Sequence, residues 1–250
     1  MLNGECFMIQ IVDRTFDLLE FLARQKESVS NSVIAEEMGI SIQSANNLLR
    51  TLYRRGYVSQ DCKRNYRLGA RCIYLGSYAD RWGALRARLA APVKQLVAET
   101  GYVAFAGVIE NDRMLCIIMQ DPSQTEPYIP QQRWYDELHS TASGRVLLAA
   151  LSKKERGRLY KRICREISSR KNPLSEKALA ALCEETEAIG FAEVHDESVQ
   201  GVSSIAIPLL GEEGHVVAAL ALSGPNSSWN RLRREEKVGM LRRAAELAAQ

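Results

Sequence analysis

Gln43, Asn46 and Asn47 carry amides that pair a donor with an acceptor, the side-chain chemistry that reads adenine edges in a DNA major groove. Ile42, Ser44 and Arg50 lie beside them on what the spacing makes one face of a helix, with Ala45, Leu48, Leu49 and Leu52 on the other. Arg54, Arg55, Lys63, Arg64 and Arg67 add cations suited to phosphate. An exposed helix rich in Asn, Gln and Ser is ordinarily a solvated face, and Arg54-Arg55 is ordinarily a helix end complementing its dipole. Order along the chain decides between these readings. A capped short helix, a glycine turn, the polar-faced helix and a basic hairpin follow one another, which points to a winged helix-turn-helix and to double-stranded DNA as the partner.

A second candidate lies at Leu138-His139-Ser140-Thr141-Ala142-Ser143-Gly144, where a helix is expected to start. Unpaired backbone N–H groups at such a start favour an anion, so a carboxylate could dock at Thr141, Ala142 and Ser143. Equally, Thr141 could simply cap the helix and Gly144 permit close packing. Asp196 and Glu197 could orient a ligand from a loop before Gly201, although solvated loop acids are the commoner case. Cys116, His139, His195 and Asp196 are residue types used in catalysis, which keeps open an enzyme or metabolite-binding reading with the winged helix used for protein contacts. Against it, Cys116 sits in an apolar run, His139, His195 and His215 lack metal-ligand spacing, and there is no nucleophile elbow, P-loop or dinucleotide fingerprint. No catalytic residue, metal site or cofactor is therefore expected.

Several elements must position these groups. The first helix is expected from Asp13, with Asp13 or Thr15 as cap and Phe16, Leu19 and Ala23 in register. Ser30 opens a second helix that Gly39 stops, and Ser41 caps the third. Strands at Tyr57 to Ser59 and Tyr66 to Leu68 form the wing, and a connector helix runs from Ala70 to Arg81. Beyond it are expected a helix from Leu85 to Thr100 and a hairpin, Tyr102 to Ile109 and Arg113 to Gln120. Helices at Ala142 to Leu151, Lys153 to Cys164 and Glu176 to Ile189 follow. Apolar strands at Ser203 to Leu210 and His215 to Ser223 come next, then a charged helix from Asn230. This order implies an α+β second domain. The expected divisions are 1–69 for DNA binding, 70–84 for the linker helix and 85–250 for the second domain.

Composition sets outer bounds. A chain of 250 residues with 46% apolar residues and a net charge of +3 can bury two modest cores and neither demands nor excludes a polyanion. Its six cysteines form no C-x-x-C pair, as reduced cytosolic thiols would be arranged. Met1 to Met8 carries Glu5 and has neither a basic start nor a long apolar run, so a cytoplasmic protein without membrane insertion is expected.

From about Ile11 onward the chain resembles the IclR-type bacterial transcription regulators. The resemblance rests on "DRTFDLLEFLA", "ISIQSANNLLRTLYRRGYVSQD" and "YRLG", then on "LHSTASGRVLLAAL", "GFAEVHDESVQGVSSIAIPL" and "VVAALALSGP", all in matching order. It implies a homodimeric or homotetrameric repressor or activator whose C-terminal, GAF-like domain binds a small carboxylic-acid effector. It also implies that the Thr141 loop touches the effector and that Val194, Ser204, Ala221 and Ser223 line the pocket. Members that bind very small keto acids tend to carry Asp, Cys and Ser where this chain has Val194, Ser204 and Ala221, so one wall here is less polar and an aromatic or longer-chain acid is implied. Where the family often has basic residues on the reading helix, this chain has Ile42 and Asn47.

Overall fold

A computed structural model describes residues 9–130, 134–167 and 175–249, the side chains of 162–167 excepted. The readings at Met1 to Met8, Cys6 and the Cys164 thiol lie outside the described residues. The chain divides into two compact units, 1–81 and 82–250. Among the described residues no helix is long and apolar enough to cross a membrane.

In the first unit α1 (Gln10–Arg24) turns Leu18 and Leu22, four residues apart, into the core. It starts ahead of Asp13, and neither Asp13 nor Thr15 is its cap. The Thr15 hydroxyl donates back to the Ile11 carbonyl at 2.6 Å, and Asp13 sits in the first turn, where its charge complements the helix dipole. Ser30 caps α2 (Asn31–Glu37) by accepting from the Val33 N–H, and Gly39 at φ +59° makes the turn that follows. Ser41 accepts from the Ser44 N–H at 3.1 Å and opens α3 (Ile42–Arg54).

The wing pairs β1 (Val58–Gln60) with β2 (Tyr66–Leu68) in antiparallel register. The first strand begins one residue later than expected because the Tyr57 N–H is committed to closing α3, donating to the Leu52 carbonyl at 2.9 Å. Val29 extends the wing by exchanging two backbone hydrogen bonds with Tyr66. Leu18, Leu22, Ile34, Leu49, Leu52, Val58 and Tyr66 close this small core. The last helix of the unit, α4 (Ala70–Ala79), buries no residue; Ile73 is 77% and Tyr78 79% exposed.

The second unit is built on a six-stranded antiparallel sheet. It opens with α5 (Gly83–Thr100), which begins two residues before the expected Leu85, followed by β3 (Val103–Glu110) and β4 (Arg113–Gln120). Asn111 and Asp112, at φ 50° and 62°, join these strands in the doubly left-handed turn that suits the twist of a hairpin. Next come β5 (Trp134–Tyr135), a single 3-10 turn at Leu138–Ser140, α6 (Ala142–Ala149), α7 (Lys153–Ile167) and α8 (Glu176–Ile189). The remainder is β6 (Ala192–His195), β7 (Val202–Leu210), β8 (Val216–Pro225), the short α9 (Asn226–Trp229) and α10 (Arg234–Ala249). The strand order is β5-β4-β3-β8-β7-β6.

A final helix running unbroken from Asn230 is not what forms. Asn230 closes α9, and the Glu236 carboxylate accepts from the Arg233 N–H at 2.7 Å, so α10 takes its start at Arg234.

Strand alternation divides the apolar residues between two faces. Ala104, Ala106, Ile205, Ile207, Leu220 and Leu222 meet α5 and α10, whereas Phe105, Val194, Ala206, Ala219 and Ala221 meet α6 and α8. On the first face Glu193 ties the edge strand to α9 and α10. It accepts from the Trp229 indole and Arg234 and lies 3.7 Å from the buried Lys237 ammonium. Burial pushes the Glu193 carboxyl up, but these donors and charges hold it below its usual range.

Candidate nucleic-acid interface and ligand pocket

Helix α3 turns Ala45, Leu49 and Leu52 into the core and leaves Ile42, Gln43, Ser44, Asn46, Asn47 and Arg50 exposed, Ile42 at 60%. Asn47, Arg50, Thr51, Arg54 and Arg55 line one open groove on this surface, so the Asn47 amide and three guanidiniums share it. At the wing tip the Asp61 carboxylate accepts from the Lys63 and Asn65 N–H groups, each at 2.9 Å, and these bonds hold its pKa below the usual range. The turn leaves Arg64 at φ +63°, with Lys63 and Arg64 both exposed. The face has the parts a groove reader needs: paired donors and acceptors on a helix and cations on a flanking hairpin.

In the second unit the pocket residues implied by resemblance fall on one face of the sheet. Val194 pairs with Ser204 and Ser204 with Ser223, forming one cross-strand row; Ala192, Ala206, Ala221 and Phe105 form the next. The Ser204 and Ser223 hydroxyls are joined at 2.8 Å, and Ser223 also donates to the Ser203 carbonyl. This hydroxyl pair was not legible before the register was known. Helix α6 covers the face, and Ala142, Val194 and Ala221 belong to one continuous buried cluster with Leu138 and Met114.

Thr141 caps α6 by accepting from the Gly144 N–H at 3.1 Å. Gly144 is required by space: a Cβ there would stand 2.1 Å from the Leu138 carbonyl oxygen. That close approach folds the loop over the first turn, where the N–H groups of Ala142 and Ser143 have no intrahelical partner. Ser143 is 1% exposed, and its hydroxyl oxygen has no hydrogen-bond partner. A buried unpaired hydroxyl costs about 1–3 kcal/mol, so it marks a place where a ligand acceptor is favoured.

The catalytic alternative does not assemble. Cys116 on β4 is fully buried, and β3, β8 and β7 separate it from His195 on β6, a distance of about 19 Å at the usual strand spacing. His195 is bound through Nδ1 to Ser203 at 2.7 Å, and Ser203 donates onward to Asn226. Asp196 accepts from Asn226 and from the Gly201 N–H, which fixes a loop. No metal-ligand cluster occurs among the described residues. Burial and the neighbouring Arg145 hold the His139 imidazole below its usual pKa, against the pull of Glu197. Arg145 gives little local signal, a lone cation within the first turn of a largely apolar helix.

Comparison with known proteins accounts for both units. Residues 11–61 match the IclR helix-turn-helix domain, and residues 81–249 match the bacterial transcriptional regulator IclR C-terminal domain. The chain is 26% identical to the HTH-type transcriptional regulator XynR of Escherichia coli over 86% of each chain. Its fold matches the Thermotoga maritima IclR crystal structure with a TM-score of 0.75 at 23% identity, covering 97% of this chain and 98% of that one. It also matches an IclR homologue from Microbacterium hydrocarbonoxydans, crystallised with 4-hydroxybenzoate, with a TM-score of 0.67 at 18% identity over 96% and 97% of the two chains. The relatives are transcription regulators and not enzymes. The chain belongs to the IclR family, as a DNA-binding transcription regulator with a C-terminal effector domain.

Proposed function

We propose that α3 reads operator DNA through Gln43, Asn46 and Asn47, anchored by Arg50, Lys63 and Arg64, with Ile42 available to a thymine methyl and Ser44 to either base edge. The second unit senses a small carboxylic acid held at Thr141, Ala142 and Ser143 against Val194, Ser204, Ala221 and Ser223. The observation that carries the effector reading is the buried, partnerless Ser143 hydroxyl at the start of α6. A carboxylate there accepts from Ser143 and from the free N–H groups of the first turn. Phe105, Val194 and Ala221 supply apolar walls, which supports an aromatic or longer-chain acid. The 4-hydroxybenzoate carried by the Microbacterium homologue supports room for an aromatic acid in this fold.

The protein acts as a homodimer or homotetramer, with two winged helices reading half-sites roughly 34 Å apart or a multiple of that. The bare apolar side chains of α4, Ile73, Leu75 and Tyr78, support a second copy as the neighbour of this linker helix. Effector binding biases the arrangement of the second domains, and the linker passes that bias to the DNA-binding pair.

The test is fluorescence anisotropy on the intergenic DNA beside the gene, at two salt concentrations and against random competitor, followed by calorimetry with 4-hydroxybenzoate, glyoxylate and pyruvate. Competitor-resistant, salt-sensitive binding that an aromatic acid alters is expected. Tight glyoxylate or pyruvate binding without aromatic binding overturns the effector class, and salt-insensitive binding overturns the DNA reading.

A further inference from the structure

Two loops border the proposed effector pocket, and they belong to different elements. One is the turn at Leu138–Ser140, which delivers Thr141 and Ser143 to the start of α6. The other runs over 196–201 from β6 to β7, and its preceding strand carries Val194. The second loop is fixed at its ends. Asp196, at φ +57°, donates its N–H to the Val202 carbonyl, and its carboxylate accepts from Asn226 at 2.7 Å; the Gly201 carbonyl accepts from the Asn226 N–H at 2.9 Å.

Arg145 joins the two loops. Its Nε donates to the His139 carbonyl at 2.8 Å, and its terminal nitrogen donates to the Glu197 carboxylate. The arginine side chain is 13% exposed, so the guanidinium is sheltered, while the Glu197 carboxylate, 39% exposed, reaches solvent. A planar guanidinium can serve two acceptors on two segments at once, which the single ammonium of a lysine cannot do with the same fixed geometry. His139 lies two residues before Thr141, and Glu197 three residues after Val194. The fork therefore sets the separation between the donor end of the pocket and its opposite wall.

We propose that Arg145 is the positioning residue of the effector site, clasping the His139–Thr141 turn to the Glu197 loop and holding the pocket walls in register before any acid arrives. The proposal rests on the effector reading given above. The depressed His139 pKa agrees with it, because a neutral imidazole leaves Glu197 to Arg145.

Amide hydrogen exchange on the full chain without added acid tests the clasp. Arg145→Gln and Glu197→Gln should each speed exchange on the order of tenfold at residues 141–144 and 198–201, the size expected from losing a charged hydrogen bond whose donor is sheltered and whose acceptor reaches solvent. The double variant should add nothing beyond either single, the mark of two groups acting through one interaction. Arg145→Lys should protect one loop and release the other, and the winged helix should exchange as in wild type. Additive effects of the two Gln variants, or changes confined to one loop in either of them, overturn the clasp.

Calorimetry with 4-hydroxybenzoate and pyruvate supplies the second arm. An acid that binds wild type should lose on the order of tenfold in affinity in Arg145→Gln while effector-free DNA binding is kept. Unchanged affinity overturns the positioning role. Failure of every acid to bind wild type counts against the effector reading, and the exchange experiment still decides the clasp.

Discussion

Helices α3 and α6 begin with the same device and end up with opposite surroundings. In each a hydroxyl at the cap accepts from the N–H three residues on, at 3.1 Å: Ser41 from Ser44, and Thr141 from Gly144. The turn after Ser41 stands in solvent with Gln43, Asn46 and Asn47 exposed, while the turn after Thr141 is pressed onto rows of alanine with Ser143 sealed inside. In these two helices the local cap marks where the helix starts. The chemistry of that start depends on what packs against it, which leaves one helix start exposed and the other buried.

The largest expected disruption of this contrast is Gly144→Ala. The added methyl meets the Leu138 carbonyl, so thermal unfolding should show the second unit destabilised by about 3 kcal/mol or more and the response to acids abolished. The equivalent place in α3 carries Ser44, which is exposed, and Ser44→Ala should leave folding nearly unchanged.

Next in size are Asn46→Ala and Asn47→Ala. Each should cost about 1–3 kcal/mol of discrimination between operator and mutated operator, read by anisotropy competition, while binding to random DNA changes little. A uniform loss across all sequences would move these residues from base reading to phosphate anchoring.

Ser143→Ala sharpens the comparison from the buried side. Removing a hydroxyl with no partner should raise the stability of the unliganded chain by about 1 kcal/mol while acid affinity falls by a similar amount. A fall in both would mean that the hydroxyl serves the fold instead of the ligand. The smallest effect belongs to the wing: Lys63→Ala should lower the slope of log affinity against log salt by about 0.9, one phosphate contact's worth.

Much of the winged helix was legible because its signals are local. Ser30, Gly39 and Ser41 announce the turns, and α3 sorts Ala45 and Leu49 from Asn46 and Asn47 within a few residues. The second unit was legible at coarser grain. Strands as short as β5 and β6 give too few alternations to read, and Asn230 looked like a helix start because the Glu236 to Arg233 bond that sets the true start is a side-chain choice. The pairing of Ser204 with Ser223 depends on strand register. The link from Arg145 to Glu197 spans 52 residues, so no window of sequence contains both partners.

The alanines beneath α6 carry one more consequence. Ala192, Ala206 and Ala221 make that part of the sheet a floor without relief, while the Ser204 and Ser223 hydroxyls stand in the neighbouring row. On the effector reading proposed above, room for a ligand is set by side chains that are nearly absent, and grip by residues elsewhere. On that reading a single larger residue on the floor should change which acid fits without altering how an acid is held, so that selectivity and affinity vary independently.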